Sequence, residues 1–203
     1  MTGILRSVVL IAFLVVLTGG LAGCLGGHAP AERYLRLTVP AAGDCAGAPA
    51  GTSARIIAMR GVTSLPGLER RAVLFMTGGI LSASPNLYWE GPPPELVDQY
   101  LDLAVSCAGS FRTVRPFLPR GGQDLALDGR LLAFEVHREG AVQFVVSLRL
   151  TATDGSGRNL LGTRVFEVRQ PVAALDAEHI AAAGNAGLAD LGRQVREWLS
   201  GLP

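Results

Sequence analysis

Apolar and polar residues alternate along several stretches of the chain, which is typical of half-buried β-strands. The clearest stretches lie in the second half, where alternation over 132–137 is followed, after Gly140, by a longer run. The second run places on one face Val142, Phe144, Val146, Leu148 and Leu150. A turn over 154–157 leads into a third strand, 160–169, in which Phe166 and Val168 face inward. Three strands on short loops predict an antiparallel meander.

The first half of the chain predicts shorter strands. Alternation indicates strands over 34–39, 55–62 and 112–115, and the stretch from Pro40 to Ser53 is rich in Ala, Gly and Pro and is predicted to be a loop. Two further strands, 72–77 and 80–84, flank the pair Gly78-Gly79. This spacing predicts a tight hairpin, because glycine adopts the backbone angles that such turns need.

Two segments have the 3.6-residue period of an amphipathic helix. The first begins at Glu95, after Pro92-Pro93-Pro94, and ends near Gly109. Its predicted buried face consists of Leu96, Tyr100, Leu103 and Cys107. The second follows Asp176, a good N-cap. Its predicted buried face consists of Ile180, Gly184, Gly187, Leu188, Leu191, Val195, Trp198 and Leu202. Because Gly184 and Gly187 lie on that face, we expect this helix to approach the sheet closely. The order of elements along the chain is strands, helix, strands, helix. This order predicts an α+β domain of two layers, with a largely antiparallel sheet and both helices on one face.

Composition and charge exclude several classes of protein. The chain has 203 residues and is 49% hydrophobic, enough for one domain with a real core. Its 18 basic residues, all arginines, nearly cancel 17 acids, and no segment concentrates positive charge, so nucleic acid is not a predicted partner. Three histidines and three cysteines are widely separated and predict no metal site.

The N-terminus carries an export signal. Val8 to Leu17 is a ten-residue apolar run, too short to span a hydrocarbon core of ~30 Å but typical of a secretory signal peptide. The sequence Leu21-Ala-Gly-Cys24 behind it resembles the lipobox of bacterial lipoproteins. The resemblance implies a signal peptide over 1–23 and, on Cys24, a diacylglycerol and an N-acyl chain, which together anchor a protein stably.

The predicted lipid anchor indicates the localisation of the protein. Residues 24–31 are a short tether, and its last seven residues extend to at most about 24 Å, so the domain over 32–203 is expected to lie close to the membrane on the periplasmic side of the cell envelope. Leu25, after the cysteine, is not the aspartate that retains enteric lipoproteins at the inner membrane. The outer membrane is therefore favoured over the inner membrane.

Two further segments resemble a known family. The passage Leu81 to Leu101, with Trp89 before the prolines, looks like the strand, tryptophan, proline and helix passage of ABC-type transport auxiliary lipoproteins. Leu131 to Glu135, the meander and the last helix through Leu199 are similar to that family's second half. The resemblance implies a noncatalytic accessory component of an intermembrane phospholipid transport system. Its implied partners are an MCE-domain protein and an ABC permease and ATPase, and the lipoprotein would dock this assembly at the membrane, with a ring of copies as one arrangement.

The remaining candidate residues leave alternatives open. Two alternatives are open for the remaining cysteines. Either Cys45 and Cys107 form a disulfide, as the oxidising periplasm favours, or Cys107 is a buried thiol on its helix. Tyr88, Trp89 and Tyr100 either pack in the core at a strand-to-helix corner or contact lipid or a partner. His137 and His179 are expected to be solvated.

No catalytic motif emerges. The chain contains neither a Gly-x-Ser-x-Gly elbow nor a Gly-rich phosphate loop, and it has no paired carboxylates at a recognisable catalytic spacing. We therefore predict that the protein is not an enzyme. A lipoprotein cofactor of cell-wall synthesis or outer-membrane assembly is the first alternative, and a small periplasmic hydrolase is the second.

Overall fold

Eight strands and two α-helices make up the described part of the chain, residues 30–38, 55–107, 111–115 and 122–203 of a computed structural model. The compact unit described here is Glu32–Pro203. In chain order the elements are β1 (Arg33–Leu35), β2 (Arg55–Ser64), a 3-10 helix (Pro66–Glu69), β3 (Ala72–Thr77), β4 (Ile80–Trp89), α1 (Pro93–Ser106), β5 (Phe111–Val114), β6 (Leu125–His137), β7 (Gln143–Asp154), β8 (Leu160–Pro171) and α2 (Ala177–Ser200). The predicted α+β class is confirmed. The loop predicted over 40–53 lies outside the described residues.

The predicted meander is confirmed as β6, β7 and β8. β7 pairs antiparallel with β6 along its whole length and with β8 on its other side. β6 begins seven residues earlier than the alternation predicted, at Leu125. The register shifts between Leu131 and Ala133, so Leu131 is fully buried in the core while Leu132 is only partly buried. This bulge interrupts the alternation and explains why the first half of β6 was missed.

The other edge of β6 is shared by two strands. Its first half, 125–131, pairs parallel with β2, which in turn pairs parallel with β5. Its last residues, 135–137, pair parallel with β3, followed outward by β4 and β1. β2 and β3 therefore run in the same direction along one strand, with the 3-10 helix looping out between them. The sheet is mixed, although its antiparallel ladders contain most of the residue pairs.

The predicted hairpin between β3 and β4 is confirmed. Its two connecting residues, Gly78 and Gly79, have φ angles of 57° and 76°. Both angles lie in the left-handed region that a type I′ turn requires, and only glycine adopts this region without steric cost.

The two helices pack against the sheet and against each other. Arg196 of α2 donates from Nη1 to the carbonyl oxygen of Ala104 in α1 at 2.9 Å. A Cβ atom at Gly192 would lie 3.1 Å from Ala104 Cβ, so the absence of a side chain lets the helices approach closely. Glycine and alanine at this crossing thus set the distance between the helices.

The predicted buried face of α1 is wrong. Leu103 is 45% exposed and Leu96 is only partly buried, although Tyr100 is buried as predicted. The buried residues of α1 are Pro93, Pro94, Val97, Tyr100, Leu101, Ala104 and Val105. Apolar residues form two overlapping stripes on this helix, and tertiary packing selects the stripe that contains Ala104, where α2 approaches most closely.

The predicted start of α2 is confirmed, and so is its buried face from Ile180 to Val195. Trp198 and Leu202, also predicted to be buried, are only partly buried, and Leu199 is buried in their place. Asp176 caps the helix by accepting a hydrogen bond from the backbone N–H of His179 at 2.9 Å. A Cβ atom at Gly184 would lie 3.1 Å from Trp89 Cη2, and one at Gly187 would lie 3.4 Å from Phe144 Cδ1. The two glycines therefore place the helix directly on aromatic rings of the sheet, as the sequence predicted.

The turn between β7 and β8 supports a pH-dependent prediction. Hydrogen bonds from Ser156 Oγ, Asn159 and Arg158 to the carboxylate hold the pKa of Asp154 well below its usual range. The stability contributed by Asp154 is thus fully present above the unfolded pKa of ~3.9 and is lost as the pH falls through the folded pKa. We expect Asp154→Ala to lower the urea midpoint of unfolding at pH 7, and to lower it less at pH 3.

Asp154→Asn is the matched control, because the amide keeps an oxygen acceptor for Ser156 and the Arg158 N–H but removes the charge. At pH 7 we expect Asp154→Asn to lower the urea midpoint less than Asp154→Ala does. Its midpoint should also vary less with pH than that of the unmodified chain. Equal losses at both pH values for Asp154→Ala would contradict this account of the turn.

Candidate functional site

A groove of about 560 Å³ opens beside β1, where the described chain begins. It is lined by Glu32, Tyr34, Glu69, Arg70, Arg71, Ala72, Tyr88 and Pro92. These residues come from three separate parts of the chain, namely β1, the segment from the 3-10 helix into β3, and the end of β4. The short parallel pairing of β1 with β4 therefore assembles the groove.

Two stacked tyrosines form one wall of this groove. β1 and β4 place Tyr34 opposite Tyr88 in register, and neighbouring residues in register project from the same face of a sheet. Their ring centroids are 5.7 Å apart with an angle of 29° between the planes. Tyr34 is 57% exposed, an unusual degree for an aromatic ring held in a strand. The pair presents a wide aromatic surface to solvent.

Two consecutive arginines lie beside the tyrosines. Arg71 Cζ is 5.3 Å from the centroid of the Tyr34 ring, within the range of a cation–π contact. Its Nε donates to the carbonyl oxygen of Trp89 at 3.4 Å, which fixes the guanidinium beside the groove. Arg70 is exposed and makes no ion pair or side-chain hydrogen bond with the described residues. Among the described residues, the guanidinium of Arg70 therefore has donor groups without a protein acceptor.

Two carboxylates balance these charges. Glu32 accepts a hydrogen bond from the hydroxyl of Tyr34 at 2.8 Å. This bond and the negative charge of Glu32 raise the pKa of Tyr34. Glu69, at the end of the 3-10 helix, is the second acid. The lining thus contains two cations and two anions.

The structure separates the three aromatic residues singled out in the sequence. Tyr88 lines the groove, but Trp89 is 1% exposed and makes edge-to-face contacts with Phe134 and Phe144. Tyr100 is 6% exposed. Trp89 and Tyr100 therefore follow the core-packing alternative, and a surface contact role applies only to Tyr88.

The cysteines lie mostly outside the described residues. Cys24, the predicted lipidation site, and Cys45 are both outside them. Cys107 follows α1 and is disulfide-bonded. Its pairing with Cys45 stays a prediction.

Of the two histidines expected to be solvated, His179 is exposed as predicted, whereas His137 is partly buried. His137 Nε2 lies 3.0 Å from Glu135 Oε1, and the side chain of Glu135 is buried although the alternation predicted it to face outward. The bulge in β6 and the neighbouring strands on both sides explain this burial. His179 Nδ1 lies 2.9 Å from the Asp176 carboxylate at the start of α2. Each histidine therefore lies beside a carboxylate, His137 partly buried on β6 and His179 exposed at the start of α2.

Two other kinds of site are absent from the described ranges. Over residues 30–38, 55–107, 111–115 and 122–203, no three His, Cys, Asp or Glu side chains come together in a way that could hold a metal ion. Among the helices of those same ranges, none has the length and hydropathy needed to cross a bilayer.

The groove was only partly predictable. Tyr88 was singled out because it lies beside Trp89 and the prolines, but Tyr34, Arg70 and Arg71 were missed. Their signal was weak, since Tyr34 sits at the polar positions of a short alternating strand and the arginines follow an ordinary turn. Only the pairing of β1 with β4, which is not local in sequence, brings them together.

Comparison with known proteins identifies relatives. The family model described as the ABC-type transport auxiliary lipoprotein component matches residues 27–196. A Xanthomonas campestris protein of known crystal structure shares 16% sequence identity with this chain and superposes on it with a TM-score of 0.69. The match covers 82% of this chain and 94% of that one. An uncharacterised protein is 14% identical, with a TM-score of 0.66 and coverage of 83% and 99%. A hypothetical protein from Chlamydia trachomatis is 8% identical, with a TM-score of 0.53 and coverage of 73% and 97%. These structures share the fold. No curated protein sequence matches significantly.

Proposed function

The chain belongs to the ABC-type transport auxiliary lipoprotein family, and from this we propose that it is a lipid-anchored, noncatalytic accessory component of an intermembrane phospholipid transport system. The anchor is the acylated sulfur and amine of Cys24. In this proposal the folded domain acts at the membrane surface on the periplasmic side of the envelope. It performs no chemistry and instead holds the transport assembly in place.

The observation that carries this proposal is the order of two features along the chain. The lipobox-like sequence ends at Cys24, and the region that matches the family begins three residues later, at residue 27. The short separation supports a domain held against the membrane. Leu25 after the cysteine favours the outer membrane over the inner one.

The proposed partners follow from the family. An auxiliary component of an ABC-type system needs a permease and an ATPase to associate with, and we propose that the contact is made through a membrane-anchored MCE-domain protein that reaches between the membranes. A ring of copies of this chain is the arrangement we favour for that contact. Both statements are open to crosslinking of the intact protein in cells.

The sharpest test is Cys24→Ser in the full chain. Because the lipid is attached to the cysteine sulfur, we expect the variant to leave the membrane fraction completely or to persist as the unprocessed precursor, whereas the unmodified chain sediments with membranes. Fractionation and intact mass measure both results. Cys107→Ser is the control: it opens a disulfide and makes the domain less stable, but it leaves Cys24 in place, so it should still sediment with membranes. A processed Cys24→Ser protein that still sediments would contradict the proposed anchor.

A second measurement separates transport from the cell-wall and outer-membrane assembly alternatives. Affinity purification of the lipidated chain after crosslinking should recover an MCE-domain protein with an ABC permease. Deletion of the gene should disturb outer-membrane lipid asymmetry and increase detergent sensitivity. Recovery of a cell-wall synthase or an outer-membrane assembly protein in place of the transport components would overturn the transport assignment while leaving the anchor intact.

A further inference from the structure

We propose that the groove lined by Tyr34, Tyr88, Arg70 and Arg71 binds the zwitterionic headgroup of a phospholipid, a phosphate joined to an ammonium group, in the bilayer that holds the anchor. This inference rests on the lipidation of Cys24 in the proposed function. It adds to that function a specific docking surface and a ligand class.

The length of the chain before the groove supports a membrane occupant. Glu32, the first lining residue, follows Cys24 by eight residues, which extend to at most about 29 Å. Tyr34, the most exposed aromatic residue of the groove, follows two residues later. Of the groove's three segments, the first is therefore tied by a short chain to the acylated residue, so headgroups of the anchoring leaflet are within its reach.

The charges of the groove match a zwitterion better than an anion. Two guanidinium groups and two carboxylates line it, so its formal charge is zero. In the described ranges Arg70 has no ion-pair partner, and Arg71 donates from Nε to the Trp89 carbonyl, so that its two terminal nitrogens have no acceptor there. Arginine forks bind phosphate oxygens through paired N–H groups. Glu69, also exposed, then accepts from the ammonium group.

The two tyrosines fit the remaining part of the ligand. Tyrosine combines an apolar ring with a polar hydroxyl and is enriched where proteins meet the headgroup layer. The volume of about 560 Å³ is in the range of small-ligand sites. Shape, charge and chain length thus point to the same occupant.

Hydroxyl-radical footprinting of the lipidated full chain tests this proposal. Oxidation of each residue is measured by mass spectrometry for protein in maltoside micelles and for protein anchored in phosphatidylethanolamine–phosphatidylcholine vesicles. We expect oxidation of Tyr34 and Tyr88 to fall several-fold in the vesicles. Leu160, which is 65% exposed on β8 at the opposite edge of the sheet, serves as the internal control and should be oxidised equally in both states.

Charge variants identify the groups responsible. We expect Arg70→Gln/Arg71→Gln to lose the protection of Tyr34 although the chain stays anchored. Arg130→Gln/Arg149→Gln removes the same charge from an exposed pair that faces across β6 and β7, and it should keep the protection. Circular dichroism of both variants establishes that they are folded. Retained protection in the groove variant would overturn the role of the arginines.

Other outcomes also decide the matter. The proposal is wrong if Tyr34 is oxidised equally in micelles and vesicles, or if Leu160 is protected to the same extent. Protection by soluble O-phosphoethanolamine in micelles would assign the groove to a free ligand, and equal protection by vesicles of phosphatidylglycerol alone would overturn the preference for a zwitterion. Intact mass of the starting protein distinguishes this result from failure of the proposed function, because an unlipidated Cys24 would refute the anchor itself.

Discussion

Trp89→Ala is expected to destabilise the domain by about 3–5 kcal/mol, the range for removing a large aromatic side chain from a core. Trp89 is 1% exposed, and its ring lies 5.0 Å from that of Phe134 and 5.8 Å from that of Phe144, both in edge-to-face contact. The same ring packs beneath α2 at Gly184. The substitution therefore leaves a cavity between the sheet and the long helix that rigid neighbours cannot fill.

Urea unfolding followed by circular dichroism measures this effect. The other tryptophan provides the control, because Trp198 is only partly buried near the end of α2, where its ring contacts Phe166 at a centroid distance of 5.6 Å. Trp198→Ala should cost clearly less than Trp89→Ala. Equal losses in the free energy of unfolding for the two variants would show that Trp89 is not at the centre of the core, contrary to its contacts.

Gly184→Leu is the second substitution with a large expected effect, a loss of about 1–3 kcal/mol or more from overpacking. A single Cβ atom at this position would already lie 3.1 Å from Trp89 Cη2 and 3.4 Å from a methyl group of Leu37. A leucine adds three further carbons in the same direction. The helix must then move away from the sheet, which exposes the aromatic cluster around Trp89.

Ala186→Leu is the matched control for this prediction, since Ala186 is exposed on the same helix two residues away. Leucine and alanine are both good helix formers, so this variant should unfold within about 0.5 kcal/mol of the unmodified chain. Thermal and urea unfolding of both variants decide the matter. A Gly184→Leu protein as stable as the control would show that the helix is free to shift.

The parts of the fold that the sequence predicted are those determined by neighbours in the chain. The alternation in β7 and β8, the two glycines of the β3–β4 turn and the 3.6-residue period of α2 each need only a few adjacent residues to be recognised. The parallel pairs of β6 with β2 and β3 were not predicted, because nothing near Leu125 or Ile57 records which strand lies opposite. The prediction of the buried face of α1 failed for a related reason, because packing against α2 decides which of two apolar stripes is buried.

The same distinction applies to the groove. Tyr88 could be singled out from its neighbours in sequence, but whether its ring points to the core or to the surface depends on which face β4 turns toward the helices. Trp89, the next residue, takes the core face, so Tyr88 takes the other. Arg70 and Arg71 could not be recognised as groove residues from the sequence, because the groove forms only when β1 pairs with β4. Cys24 is the opposite case, a prediction made from four adjacent residues that the described part of the chain does not test.

The shared edge of β6 has a consequence for the order in which the chain folds. β6, β7 and β8 pair through short turns, whereas β2 must find residues of β6 such as Leu125 across a long intervening segment that contains α1. Closing a long loop costs more chain entropy than closing a short turn. We therefore expect the C-terminal hairpins to form the folding nucleus, with the N-terminal strands adding to it late, so that the groove beside β1 is the last part of the domain to be completed.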